Sequence, residues 1–506
     1  MSDRAGYAAQ PILTRDSASN ARPAHGDVVA NLLAGAWLDW VMVALALLAC
    51  FATCLLTLRT VGGMEGPLSW SIAGILALIF LAPALARGGA LAAAFALRLA
   101  DIAGRIPVWQ IVLAGAVLRG LWVTVFPAES GSDGAVYMGL ASRLATDHTY
   151  EVAGTRAYWP VGYPLFLSLW VGMLGEGRVA LLAANLFQYI VAAVGISRLA
   201  GVLAGPRAAS LAALLFACWP NLVANTATAE KEMLIVTLLP WAFLAVVTLL
   251  KGAGGRWAAL RGGLLLGLCI LVQPSLQFLP LLAAVFLIAL YRERLRALSH
   301  ALLILVAATV AVAPWSLRNH LVFDRFVLVS TNGGENFYRA NNPLATGGYT
   351  PVGEVDLSSF SESERDLRGK VLALAWIRAH PDDFATLGAE KLVRFMGDDA
   401  VGVYNTLKVG RDGREGGSVY AALKLVANLY WLVAWILLVA VVLSLIRRGA
   451  SVAPIVRTPL WLWLYLLILH AVFESAGKYH VPVLWVLIVL LAGYAARLHE
   501  LEDHAA

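Results

Sequence analysis

Long apolar stretches separated by short charged turns dominate this chain. Apolar runs fall at 37–58, 69–86, 108–126, 179–203, 208–227, 233–250, 260–272, 276–291, 301–315, 423–446, 459–473 and 481–496. They predict about twelve transmembrane helices, the pair flanking Gln273-Pro274 being short for a hydrocarbon layer ~30 Å thick. Unbroken runs such as 37–58 exclude a transmembrane β-barrel, whose strands are short and alternate in polarity.

The turns carry the orientation. Arg87, Arg98 and Arg105, then Arg198 and Arg207, then Lys251, Arg256 and Arg261, then Arg292, Arg294 and Arg296, then Arg447, Arg448 and Arg457, and finally Arg497 mark alternate connections. Under the positive-inside rule these connections and both termini face the cytoplasm. The remaining polar segments then gather on the outer face: 127–178, Thr228-Ala229-Glu230-Lys231-Glu232, 317–422, and Glu474 to His480. Residues 1–36 are polar and lack the apolar core of a signal peptide, so they read as a disordered cytoplasmic tail. The predicted organisation is this tail, two additional helices over 37–106, a transmembrane core over 107–316 with its outer loop 127–178, an outer domain over 317–422, and C-terminal helices over 423–506.

The outer domain is too long for a bare connector. Phe326-Val327-Leu328-Val329 is strand-like and runs into Ser330-Thr331-Asn332-Gly333-Gly334, a turn signal. Ser361 followed by Glu364 predicts a capping box before a helix over 367–380, and Pro381 separates it from a second over 382–395. The domain is therefore α-rich, or α+β if Phe326–Val329 forms a strand.

Composition agrees with a membrane protein: 60% of residues are hydrophobic and 14% charged, against roughly a quarter charged in soluble domains. The 17 tryptophans suit rings at the bilayer interface. The net charge of +6 is accounted for by the cytoplasmic turns, and no basic aromatic module suggests nucleic acid. Cys50, Cys54, Cys218 and Cys269 all lie in apolar runs, as packing residues do, and the polar loops hold none that would form a disulfide.

Chemistry is sought among the outer polar segments. Asp133, Tyr137 and Ala141 are spaced to share one face of an interfacial helix. At its start the helix dipole favours an ionised carboxylate, although Asp is also an ordinary N-cap. Tyr158-Trp159-Pro160-Val161-Gly162-Tyr163-Pro164 forms a rigid aromatic edge that suits either a sugar face or an interfacial anchor. Glu230 and Glu232 supply further carboxylates, which with Asp133 would orient an acceptor hydroxyl or hold a divalent cation. Arg318, Lys478 and His480 are cations at the outer rim, fit for a lipid phosphate or for snorkelling. Arg119 lies inside an apolar run, where a charge is costly enough to need a partner or a function. Asn341 and Asn342 stand in an amide- and glycine-rich stretch that suits sugar hydroxyls.

The order of these features resembles the GT-C glycosyltransferases: a span, Asp133 with Tyr137, the Trp159-Pro160-Val161-Gly162-Tyr163-Pro164 run, and then the Glu230 turn. The likeness is to the bacterial branch related to dolichyl-phosphate-mannose protein mannosyltransferases and to the aminoarabinose transferase that modifies lipid A. Leu271-Val272-Gln273-Pro274, Pro314 to Asn319, Asn332 to Pro343, and Glu474 through Pro482 extend it, so that it covers roughly 108–497. The resemblance implies an all-α polytopic GT-C fold and a site on the outer face of the bacterial inner membrane. It further implies transfer of a sugar from a polyprenyl-phosphate donor to a glycan, lipid or protein acceptor. Asp133 and Glu230 would be the catalytic carboxylates and the ligands of any divalent cation. Arg318, Lys478, His480 and Arg119 would hold the donor phosphate. Tyr137, Tyr158, Trp159, Tyr163, Glu232, Asn341 and Asn342 would contact substrate. The Glu-Lys-Pro run of the aminoarabinose branch and the His-Pro-Pro-like run of the mannosyl branch are both absent, so substrate identity does not carry over. Rival readings are an O-antigen ligase or polymerase with a diphosphate-linked donor, and a lipid-linked sugar flippase.

Overall fold

The computed structural model describes residues 25–85, 89–291, 293–351, 353–409 and 417–505. Most of the predicted N-terminal tail, and with it Arg87 and Arg292, lies outside the described residues. The chain folds as α1 (His25–Ala34), α2 (Trp37–Gly62), α3 (Pro67–Leu85), α4 (Gly89–Gly104), α5 (Val108–Val125), α6 (Ser132–Thr146), α7 (Gly162–Leu174), α8 (Arg178–Ala217) and α9 (Pro220–Ala224). There follow α10 (Lys231–Leu250), α11 (Arg256–Val272), α12 (Leu279–Leu290), α13 (Arg294–Phe323), α14 (Gly333–Ala340), α15 (Glu362–Ala379), α16 (Pro381–Met396), α17 (Val401–Tyr404), α18 (Ser418–Arg447), α19 (Pro454–Arg457), α20 (Leu460–Val472) and α21 (Leu484–Ala505).

Among the described residues, eight helical stretches are long and apolar enough to cross a membrane, and 67–82, 162–174 and 274–290 are shorter apolar helices. This is a multi-pass, all-helical membrane protein. The runs 179–203 and 208–227 are the two halves of α8, separated as the sequence separates them by a break at Ala204 and Gly205 (φ 85°) before Pro206. The second run stops at Ala217, because Trp219 is extended and Pro220 starts the short α9. Residues 25–34, expected in a tail, form α1. Residues 89–104, expected as a basic connection, form α4, whose alanine-rich face is buried.

The additional helices are clamped into the bundle. Near the start of α2, Arg457 donates from Nε and Nη2 to the Asp39 carboxylate at 2.7 and 2.9 Å, and Tyr494 adds a third hydrogen bond. Near its end, Arg59 makes a paired contact with Glu390 of α16 at 2.8 and 3.0 Å. At the helical rise these clamps stand about 30 Å apart, the thickness of a hydrocarbon layer. Beneath α16 a box of Trp431, Trp435, Trp463 and Phe395 is almost fully buried, each ring pair adding about 0.5–1.5 kcal/mol beyond its area.

The segment between α13 and α18 is helical, and the described residues contain no strand beyond one isolated bridge, Val152 with Thr155. Phe326–Val329 forms no strand; its carbonyls accept instead from side chains of α13. Trp315 Nε1 donates to the Val329 carbonyl (2.8 Å), Ser316 Oγ to Leu328 (2.6 Å), and Asn319 Nδ2 to Val327 and Val329 (3.3 and 3.1 Å). The Ser361–Glu364 capping box forms as predicted and starts α15.

Candidate active site

The start of α6 is pressed against the turn before α10. Gly134 is the contact: a Cβ there would lie 2.8 Å from the Ala229 carbonyl oxygen. Ser130 Oγ accepts the Ala229 N–H at 2.9 Å. Ser132 is held at φ 49°, a left-handed conformation that costs a non-glycine residue about 1 kcal/mol or more and clusters at functional sites. The N-cap is Gly131, and Asp133 caps nothing. Its carboxylate is half exposed and lies 3.6 Å from Lys478 Nζ. One face of α6 carries Tyr137 into the core, edge-on to Tyr163 with ring centroids 5.4 Å apart. Gly162 in turn allows α7 to meet the end of α11, where a Cβ would be 2.6 Å from Val272 N.

Glu230 faces the same place. Asn405 Nδ2 donates to Glu230 Oε1 at 2.6 Å and Thr228 Oγ1 at 3.3 Å. Burial, first, and the neighbouring Glu232 carboxylate, second, push the Glu230 carboxyl up to about 8, against the opposing pull of Lys478, Asn405 and Thr228. Burial and the Asp133, Glu232 and Glu230 carboxylates also hold the Tyr137 phenol well above its ordinary range. Asp133, Lys478, Glu230, Glu232 and Tyr137 are thus one cluster. Among the described residues, no group of three or more His, Cys, Asp or Glu is placed to hold a metal ion.

Lys231 and Tyr479 continue from this cluster into the wall of a cavity of about 540 Å³, lined also by Gln273, Asn336, His470 and Glu474. Beside it runs an apolar groove of about 550 Å³ along α12 and α13, with Leu281, Leu305 and Val312 in its walls. Cavity and groove share Gln277, Phe278, Phe326 and Leu328.

The other predicted site residues take structural positions. Arg119 has no carboxylate partner: fully buried, it donates to the carbonyls of Ala217 (2.9 Å) and Gly115 (3.1 Å) and lies 3.7 Å from the Tyr189 ring centroid. It closes the end of α8, where unpaired carbonyls attract a cation, and not a phosphate site. His480 is likewise enclosed, with Nε2 3.1 Å from Asp399 and its ring stacked 4.7 Å from Trp431. Asp399 also accepts from Trp219 Nε1 at 2.6 Å, which makes this a buried hub rather than an outer rim. Arg318 donates to the carbonyls of Arg156 (2.8 Å) and Tyr150 (3.4 Å), tying the first outer loop to α13. Asn341 receives Lys391 Nζ on Oδ1 at 2.9 Å, and Asn342 Nδ2 donates to Tyr338 and Arg339 carbonyls at 2.8 and 3.1 Å. Both amides are buried and lock the turn after α14. Tyr158 accepts from Arg339 at 3.1 Å. Trp159 packs on the core, and Tyr163 is fully buried.

Two residues stand out only in the structure. Asn405, which opens a π-helical turn directly after α17 and carries no sequence signal, holds Glu230. Glu362, in the first turn of α15, accepts the backbone N–H groups of Arg156 and Ala157 (2.7 and 2.8 Å) and the Thr331 hydroxyl (2.6 Å).

Residues 159–317 match the family model of dolichyl-phosphate-mannose-protein mannosyltransferases. That match spans under a third of the chain. The matched segment contains Glu230 and Glu232, whereas Asp133 and Lys478 lie outside it. Among solved structures, similarity extends to the Archaeoglobus fulgidus oligosaccharyltransferase in complex with Zn and sulfate (13% identity, TM-score 0.45, 78% of this chain and 49% of that one). It extends also to ArnT from Cupriavidus metallidurans bound to undecaprenyl phosphate (12% identity, TM-score 0.40, 78% of this chain and 79% of that one). The chain spans about half the length of the archaeal enzyme. Comparison with curated proteins finds no match.

Proposed function

We propose that this protein is a GT-C glycosyltransferase that transfers a sugar from a polyprenyl-phosphate donor to an acceptor hydroxyl, at the outer face of a bacterial inner membrane, with Asp133 as general base. The observation that carries the proposal is the cluster itself: a half-exposed Asp133 that caps no helix, 3.6 Å from Lys478 and packed against the Glu230 turn. The family matched by 159–317 is described by a dolichyl-phosphate-linked donor, which supports the donor class. The groove along α12 and α13 is apolar enough for a polyprenyl chain, and it runs into a polar cavity where a sugar finds hydrogen bonds.

The chemistry follows from the leaving group. Asp133 takes the proton of the acceptor hydroxyl while its oxygen attacks C1 of the sugar. The C1–O bond to phosphate breaks, and its electron pair leaves on the polyprenyl phosphate. Lys478 stabilises that phosphate, so donor binding draws the ammonium away from Asp133 and leaves the carboxylate free to accept the proton. Positioning and charge stabilisation supply most of the rate in such a site. Attack opposite the leaving phosphate inverts the anomeric centre.

The test is a deletion strain whose lipid-linked intermediates are identified by mass spectrometry. The polyprenyl-phosphate sugar accumulates and one sugar disappears from the acceptor. An unchanged monophosphate pool contradicts the proposal, and an accumulating diphosphate-linked glycan points instead to a ligase or polymerase.

A further inference from the structure

Three hydrogen-bond acceptors in one cavity wall have no donor. Gln273, His470 and Glu474 line the polar cavity beside Tyr479. Gln273 Oε1, His470 Nε2 and Glu474 Oε2 are each enclosed without a hydrogen-bond partner. Gln273 and His470 are only 5% and 4% exposed. Their remaining polar atoms are engaged. Gln273 Nε2 donates to Ser275 Oγ at 3.0 Å. Tyr479 OH donates to Glu474 Oε1 at 2.5 Å. His470 Nδ1 lies 2.8 Å from the Glu474 carbonyl oxygen. A carbonyl only accepts, so Nδ1 carries a proton, and in the neutral ring Nε2 is then an acceptor. Buried polar groups are normally paired, and an enclosed acceptor left unpaired costs about 1–3 kcal/mol. What completes this wall must therefore bring donors.

We propose that Gln273, His470 and Glu474 form the subsite for the transferred sugar and accept hydrogen bonds from its hydroxyl or ammonium groups. This rests on the transfer function above and adds to it the residues that recognise the sugar. A sugar ring presents several hydroxyl donors around a body small enough for a cavity of about 540 Å³. Lys370 also lines the cavity, but it is paired with Asp366 at 2.6 Å. Lys231 lies at the edge nearest the Glu230 turn, where the sugar phosphate would enter. Tyr479 links the subsite to the reacting cluster: its hydroxyl holds Glu474, and its chain neighbour is Lys478. Glu474 of the subsite and Lys478 of the reacting cluster thereby share one short turn, 474–480.

The experiment is isothermal titration of the purified full-length chain with farnesyl phosphate and with its mannose, glucose, galactose and glucosamine esters. At least one ester binds about tenfold or more tightly than farnesyl phosphate. Glu474→Gln, which puts an N–H where an acceptor stood, and Gln273→Leu each remove about tenfold of that gain. Gln273→Glu, which keeps an acceptor, retains it. Unchanged farnesyl phosphate binding in all three variants reports that the fold is intact. Esters that bind no better than farnesyl phosphate, or a gain that survives both disruptive variants, overturn the subsite while leaving the transfer function standing. Failure of farnesyl phosphate itself to bind removes the transfer function and the subsite with it.

Discussion

Glu230 holds its proton to about pH 8, because burial and Glu232 both oppose a second negative charge there. Below that pH it is neutral beside the donor phosphate, and above it is ionised and repels it. Donor binding should therefore weaken by roughly tenfold as pH rises from about 7 to about 9, and Glu230→Gln should flatten the profile. A rate that rises through the same range and is lost in Glu230→Gln would make Glu230 the base instead. Lys391 is the opposite case: burial lowers its amine to about 8 while it donates to Asn341 and to the Val472 carbonyl. The folded chain then binds fewer protons than the unfolded chain between about pH 8 and 10.5, so this site adds stability as pH rises through that window. Thermal unfolding at about pH 8 and about pH 10 should show this increment in the wild type and lose it in Lys391→Met. Asp133, Lys478 and Glu230, which the structure brings together, stand out in the sequence because charges in short polar segments of an apolar chain are conspicuous. Arg119 and His480 were misread for the same reason: charge is visible in a sequence, whereas the carbonyls and aromatic rings that enclose it come from distant segments. Asn405 was invisible, since a lone amide carries no pattern until Glu230 is set beside it.

At the scale of elements, what held was periodicity and capping, and what failed was whatever depended on partners. The capping box at Ser361 and the Gln273-Pro274 turn are local, and both formed. Phe326–Val329 has strand composition but found side chains of α13 in place of a second strand. The alanine-rich α4 looked like a basic connection because Arg98 within it and Arg87 and Arg105 on either side mark a cytoplasmic turn. The clamp on α2 gives a direct test. Removing one partner of the buried Asp39–Arg457 pair leaves an uncompensated charge, so Arg457→Met should cost about 3–5 kcal/mol, while Asp39→Leu combined with Arg457→Met recovers most of it. Thermal unfolding in detergent measures both. Glu362 makes a second test. In Glu362→Ala the Arg156 and Ala157 N–H groups lose their acceptor, and limited proteolysis within 150–157 should quicken about tenfold while α15 stays protected.

In the whole molecule the additional helices are part of one body with the site. Arg59 of α2 holds Glu390 of α16, and α16 carries Phe395, whose carbonyl and ring contact His480 two residues from Lys478. A chain beginning at Val108 would leave Arg457 and Glu390 unpaired and bare the faces of α16 and α18 that α2 covers. It should fail to give a monodisperse peak in size exclusion where the full chain does. The fold class was legible because the long apolar helices need only composition and length, and the break in α8 was legible as the gap between the runs 179–203 and 208–227 at Gly205 and Pro206. The assignment of Asp133 as base is the centre of the account, and the purified chain in proteoliposomes tests it most directly. Its membranes supply the acceptor, a polyprenyl-phosphate sugar is the donor, and release of polyprenyl phosphate is followed against sugar transferred. The two should appear in equal amounts for the wild type, and Asp133→Asn should be slower by about 10²–10⁴-fold with donor binding retained. An Asp133→Asn chain that transfers sugar at the wild-type rate would contradict the account.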